Sequence, residues 1–275
     1  MNWRAVRAIA EKDLRMVVQA RAVMIPIVIL PAVILVVLPI IYSLGIQYAS
    51  SLGPSFTGTQ SLTTFLTNMP AGLRAEVAQY NQDQLILAVA LTYFIAPMYL
   101  IIPMMVSAVI AADSLAGERE RKTIEALVYT PTTDFELYLA KLLAAWIPAL
   151  AVGIFGFILY SVAANLAAWP TMGRIFLPNL MWILLAFWVG PAAAGLGLGA
   201  MVLVSSRVAS FQEANQLGGI VVLPVVFLVV AQGAGVMYFS VELVALLGLV
   251  LWVIDACLLY FGRRLFRRGQ ILARA

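Results

Sequence analysis

Histidine is missing altogether, and cysteine occurs once, as Cys257. Without histidine there can be no His-ligated haem, no HExxH zinc site and no imidazole for general acid–base chemistry. A lone cysteine excludes an internal disulfide and any Cys-rich metal site. Cys257 reads as apolar filler in a membrane helix. Charge is scarce too: 11% of residues are Asp, Glu, Lys or Arg, against roughly 25% in soluble domains. No run of them resembles a nucleic-acid patch. The GxxxxGK[ST] phosphate loop is absent, so this chain is not expected to hydrolyse ATP or act as an enzyme. Short alternating segments of a transmembrane β-barrel are lacking, and so are the matched, broken halves of an inverted-repeat carrier.

What is present is hydrocarbon: 63% of residues are hydrophobic and the mean hydropathy is +0.99. A helical span needs about 20 apolar residues, and six segments qualify, at 22–44, 85–112, 142–168, 175–204, 217–231 and 242–262. The chain reads as an all-α integral membrane protein with a single domain over 1–275. Residues 1–21 predict an amphipathic helix. Trp3, Val6, Ile9, Ala10, Leu14 and Val17 recur at spacings of three or four, and Arg4, Arg7, Glu11, Lys12, Arg15 and Gln19 fill other positions. Such a helix suits the plane of the membrane interface. It is too extended in its charge, and the following apolar run too long, for a cleaved signal peptide. Residues 45–84 form a polar loop with a short helix near Ala71–Tyr80, and 263–275 is a basic tail.

Six spans put both termini on one side, and lysine and arginine say which. Fifteen of the seventeen fall on the terminal side, while Arg74 and Arg174 fall on the other. The termini, 113–141 and the loop at 205–216 are therefore expected in the cytoplasm, with 45–84 outside.

Ten of the thirty charged residues lie between Asp113 and Lys141. Hydrocarbon cannot host that density, so the stretch belongs in water. It is patterned as a helical hairpin. Gly117 relaxes the chain, and Glu118–Val128 reads as a short helix with Glu118–Lys122 and Arg121–Glu125 pairs at i, i+4. Thr130 and Pro131 stop it. Thr133 and Glu136 form a capping box, with Asp134 favourably placed in the first turn. The new helix then runs directly into the third span, which would let a push on the first helix move that span. The plainer alternative is a solvated loop whose charges only enforce topology.

The stretch GERERKTIEALVYTPTTDFELYLAK resembles the cytoplasmic segment of type-2 (ABC-2) ABC transporter permeases. That pattern has E-R-E, then T-[IL]-E-x-L-L, an S/T-P turn and L-x-[GA]-K. Glu118-Arg119-Glu120, Thr123-Ile124-Glu125, Leu127, Thr130-Pro131 and Leu139-Ala140-Lys141 fill it. Lys122 and Ala140 stand where many members have glycine. The Ser205–Pro224 stretch and the Phe261–Leu272 tail fit as well.

The resemblance implies a permease subunit of an ATP-driven exporter in the plasma membrane, of the prokaryotic inner-membrane kind. Two permease chains, identical or related, would pair with two copies of a separate ATPase subunit that binds ATP and magnesium. Residues 118–131 would be the coupling helix, with Glu118, Arg119, Glu120, Lys122, Thr123, Glu125, Thr130, Pro131 and Asp134 as coupling residues. Spans nearly free of charge favour a lipid or another hydrophobic or amphipathic cargo. An ion-coupled secondary transporter and a non-transporting membrane scaffold are the competing readings.

Three further positions stand out. Gly195 and Gly199 form a GxxxG, which lets helices approach closely, within the subunit or between two. Asp255 lies inside the last span, where an ionisable group is functional, bonded to a neighbouring helix, or protonated. Arg207 and Glu213, in the second cytoplasmic loop, are candidates to meet the hairpin or the ATPase, with a purely local loop role as the alternative.

Overall fold

The computed structural model describes residues 2–52, 69–121, 132–205, 207–208 and 210–265. Among them there is no strand, and six helices are long and apolar enough to cross a membrane. They are span 1, Val23–Tyr48; span 2, Gln82–Gly117; span 3, Asp134–Met172; span 4, Leu180–Ser205; span 5, Phe211–Gly233; and span 6, Val241–Arg263. A separate N-terminal helix, Trp3–Gln19, precedes them, and a short helix, Ala71–Val77, lies in the first loop. The all-α six-span architecture expected from the sequence is therefore the one observed.

Spans 2 and 4 form the centre. About two thirds of their most apolar windows, 67% and 61%, are buried, against 17–33% for the other four. Their contact is close because span 4 is rich in glycine. A Cβ on Gly197 would collide with the Met104 carbonyl of span 2 and would meet Ser107 as well. Such small-residue contacts replace the hydrophobic driving force that lipid does not supply between helices.

Spans 2, 3 and 4 meet at a cluster of Tyr99, Phe157, Tyr160 and Trp182. The Tyr160 and Trp182 rings stack with centroids 4.5 Å apart, and Tyr99 meets Trp182 edge-on at 5.7 Å. Each polar tip finds a carbonyl. Trp182 Nε1 donates to Thr92 O at 2.9 Å, Tyr99 OH to Gly153 O at 3.1 Å, and Tyr160 OH to Leu91 O. Leu91 and Thr92 lie in a π-helical stretch, Val89–Phe94. Widening the helix disturbs its regular ladder, and side chains from neighbouring spans take up its carbonyls. Further π stretches occur at Val33–Val37, Asp113–Gly117 and Leu185–Val189.

Several boundaries differ from the sequence reading for identifiable reasons. The helix of span 2 does not break at Gly117; it continues as a π turn into Glu118–Glu120. Gly117 is needed for space, since a Cβ there would lie 2.8 Å from Asp113 Oδ1. Span 3 continues through Pro170 to Met172 and ends at Gly173, whose φ of +63° is cheap only for glycine. Span 4 starts at Leu180, where the Asn179 side chain accepts from Trp182 N and caps the helix. The preceding strap is held by Asn165, whose Oδ1 accepts from Phe176 N at 3.0 Å. Short helix Ala71–Val77 falls within the expected Ala71–Tyr80.

Candidate functional site

The charged segment begins where span 2 ends. Thr133 and Glu136 make the expected capping box at the start of span 3: Thr133 N donates to Glu136 Oε2 at 2.9 Å, and Glu136 N to Thr133 Oγ1 at 3.3 Å. The helix they start is a single 39-residue element, Asp134–Met172. Glu136 has a second task, because its Oε1 accepts the backbone N–H of Asn2. The N-terminal helix is thereby fastened to the start of span 3.

That helix does not bury the whole apolar face expected of it. Its buried line is Val6, Ile9, Asp13 and Val17, while Trp3 and Leu14 are exposed on its flank. Val6 and Ile9 pack on Leu137 and Ala140 of span 3. Asp13 stands on the buried line because it has a partner there. Lys141 Nζ donates to Asp13 Oδ2 at 3.0 Å, to Glu118 Oε2 at 2.6 Å, and to Ser114 Oγ and O at 3.0 and 2.9 Å. Ser114 Oγ donates to Asp13 Oδ2 at 2.7 Å. Lys12 completes the group, with Nζ 2.7 Å from Glu118 Oε1 and 3.5 Å from Asp13 Oδ1.

Two carboxylates and two ammonium groups thus share one cluster with no net charge, buried except at Lys12. It joins three elements: the N-terminal helix, the end of span 2 and the start of span 3. Burial alone would push Lys12 down, but Glu118 and Asp13 outweigh it and hold the ammonium above its ordinary range. One turn further on, Arg121 Nη1 pairs with Asp113 Oδ1 at 2.9 Å, and this contact raises the Arg121 guanidinium further.

The expected coupling residues divide accordingly. Glu118 is fully buried in the cluster, so its carboxylate joins Lys12 and Lys141. Glu120 is exposed, and its Oε2 accepts from Phe211 N at 2.9 Å. That bond ties the segment to the start of span 5, whose helix is capped by Ser210. Arg119 lies in the Glu118–Glu120 turn, and Asp134 opens the helix of span 3. Lys122, Thr123, Glu125, Thr130 and Pro131 lie outside the described residues, and so do the expected Glu118–Lys122 and Arg121–Glu125 pairs.

Gly195 and Gly199 both face span 6 of the same chain. A Cβ on Gly195 would collide with the Asp255 carboxylate, and one on Gly199 would lie 2.9 Å from Leu258 Cβ. Asp255 is 2% exposed, and neither of its oxygens has a hydrogen-bond partner among the described residues. Among those residues no three His, Cys, Asp or Glu side chains gather to hold a metal.

The sequence reading did not single out Asp13, Ser114 or the inward role of Lys141. A signal for Asp13 was available. It stands four residues from Ile9 and four from Val17, a carboxylate on the line that the helix buries. A buried charge implies a buried counter-charge. What the sequence does not display is which lysine, over a hundred residues away, supplies it.

Among the described residues, six membrane-length helices in one all-helical bundle define a multi-pass membrane protein. The chain belongs to the ABC-2 family transporter proteins, whose profile matches residues 7–253. It is therefore a permease component of an ABC transporter, a class that works with an ABC ATPase subunit. No curated protein matches the chain.

Proposed function

We infer that this chain is the membrane subunit of an ATP-driven exporter, in which residues 118–131 receive the motion of a separate ATP-binding subunit. The observation that carries this reading is the cluster at Glu118. The segment leaves span 2 at a point fastened by Lys141 to span 3 and by Lys12 to the N-terminal helix, and Glu120 adds the start of span 5. A force applied to 118–131 would reach spans 2, 3 and 5 together.

On this reading two such chains, identical or related, enclose the pathway, and two copies of the ATPase, each with ATP and magnesium, dock below them. The excess of lysine and arginine at the termini-bearing end supports a cytoplasmic position for that end, and the membrane on this reading is a prokaryotic inner membrane. The lightly charged spans favour a lipid or amphipathic cargo. Glu120, Lys122, Thr123, Glu125, Thr130, Pro131 and Asp134 are the proposed contacts for the ATPase, with Glu118 and Arg119 at the root.

The test is co-expression with an ABC ATPase encoded beside this chain. Purified alone, the permease should show no ATP hydrolysis; the complex should hydrolyse ATP. Glu125→Arg should leave the permease folded while reducing ATPase binding or its coupling to transport. Wild-type transport after Glu125→Arg, or transport that persists without any ATPase, would sink the proposal in favour of a scaffold or an ion-coupled carrier.

A further inference from the structure

A narrow groove runs between the N-terminal helix and span 3. Trp3, Ala10 and Leu14 border it on one side, and Ala144, Ile147 and Pro148 on the other. Its volume is about 270 Å³ and its surface is almost wholly apolar. Trp3 to Leu14 is eleven residues of helix, or roughly 16 Å at 1.5 Å per residue. A space that long and that small is slimmer than the roughly 300–1,000 Å³ pockets of compact ligands. Its proportions suit a single hydrocarbon chain.

The surroundings say which chain. Ile147 lies on a line with Phe155, Ile158, Val162, Leu166 and Trp169, all exposed along span 3. These spacings of three, four or eight describe one exposed apolar helix face, and the groove is continuous with that face at one end. The helix beside it is basic: Arg7 lines the groove and pairs there with Glu11 at 2.8 Å, and Arg4, Lys12 and Arg15 are exposed on the same helix outside the groove lining. A basic helix at the surface of a bilayer attracts anionic headgroups.

We propose that this groove is a binding site for an anionic phospholipid, with one acyl chain between Ala10 and Ala144 and the headgroup at Arg4 and Arg7. The occupant fills an apolar flank that the helix leaves uncovered at Trp3 and Leu14, beside the cluster that fastens the helix to spans 2 and 3. The site depends only on the chain being in a bilayer, so it can fail while the proposed exporter role stands, and the reverse.

The test uses the purified full chain in lipid nanodiscs, with acyl-brominated phosphatidylglycerol or phosphatidylcholine as quencher. The Trp3 signal is isolated by subtracting Trp3→Phe, since the chain has six tryptophans. Brominated phosphatidylglycerol should half-quench Trp3 at a lower mole fraction than phosphatidylcholine, by on the order of fivefold for each arginine engaged. Arg4→Gln with Arg7→Gln should erase the preference, and Ala10→Phe should fill the groove and abolish the selective quenching. If Ala10→Phe does not fold, Leu14→Gln on the exposed wall should weaken it. Equal half-quenching by the two lipids would overturn the proposal and leave ordinary bilayer contact. Absence of quenching by either would also overturn it.

Discussion

Replacing Lys141 with methionine keeps most of the side chain's length and removes its charge. In the wild-type chain, the Lys141 ammonium touches two carboxylates whose side chains are wholly buried, at 3.0 Å from Asp13 and 2.6 Å from Glu118. Lys12 also reaches both carboxylates, but its side chain is 44% exposed. Lys141→Met takes the cluster from neutral to one net negative charge and leaves a buried carboxylate short of its counter-ion. Breaking a buried pair in this way costs about 3–5 kcal/mol. For a chain of this size each kcal/mol moves the midpoint by about 2–4 °C, so the melting temperature should fall by about 6–20 °C.

The assay is thermal unfolding of purified protein in one fixed detergent, followed by intrinsic fluorescence. The decisive comparison is the triple variant Asp13→Asn, Glu118→Gln, Lys141→Met, which deletes the three buried charges while keeping their shapes and leaves only the Lys12 ammonium, 44% exposed and open to water. It should recover most of the loss, because the penalty belongs to the uncompensated charge rather than to the missing bonds. A triple variant as unstable as the single one would refute this reasoning and assign the loss to packing. A drop of under about 2 °C for Lys141→Met would show that water reaches the cluster.

The other expectations use the same preparation. Gly197→Ala should be more damaging than Gly195→Ala. The first added methyl meets the Met104 backbone, which must shift at about 1–3 kcal/mol, and the second meets only the end of the Asp255 side chain. Asp255→Asn should leave the melting temperature unchanged or raised, since neither carboxylate oxygen has a hydrogen-bond partner among the described residues; a fall of several degrees would show that the charge is used. Lys12 is held above its ordinary value in the folded chain. Its contribution to stability is therefore complete below the unfolded value and is lost as pH rises through the folded one, so Lys12→Met should flatten the alkaline limb of the stability curve. An unchanged alkaline limb would dismiss the Lys12–Glu118 contact.

Most of the architecture was legible because hydropathy and charge bias report the solvent around each residue. Six spans follow from that alone, and the Thr133–Glu136 cap follows from local hydrogen-bonding chemistry three residues apart. Interrupted helices were less legible. Gly117 looks like a break but serves as clearance for Asp113 and Arg121, and Pro170 sits inside the last turn of span 3 rather than beyond it. The cluster was the hardest to read. Lys12, Asp13, Ser114, Glu118 and Lys141 come from three separated stretches, and periodicity carries no information about which of them meet. Asp13 shows the limit well: it looks like one more polar residue on an amphipathic helix until its neighbours on the same line are seen to be buried.

Span 3 is a rod of 39 residues, about 58 Å long, nearly twice the ~30 Å thickness of the hydrocarbon it crosses. Pro148, fourteen residues from its start, has no N–H to offer the Ala144 carbonyl, so the rod has a built-in weak joint about 21 Å from that end. Everything that grips the rod at the termini-bearing end, Glu136, Leu137, Ala140 and Lys141, lies on the short arm before the joint. The aromatic cluster at Phe157 and Tyr160 lies on the long arm beyond it. A displacement imposed at the grip is therefore shared between a swing of the short arm and a tilt of the long one, and the stiffness of a single proline joint sets the ratio.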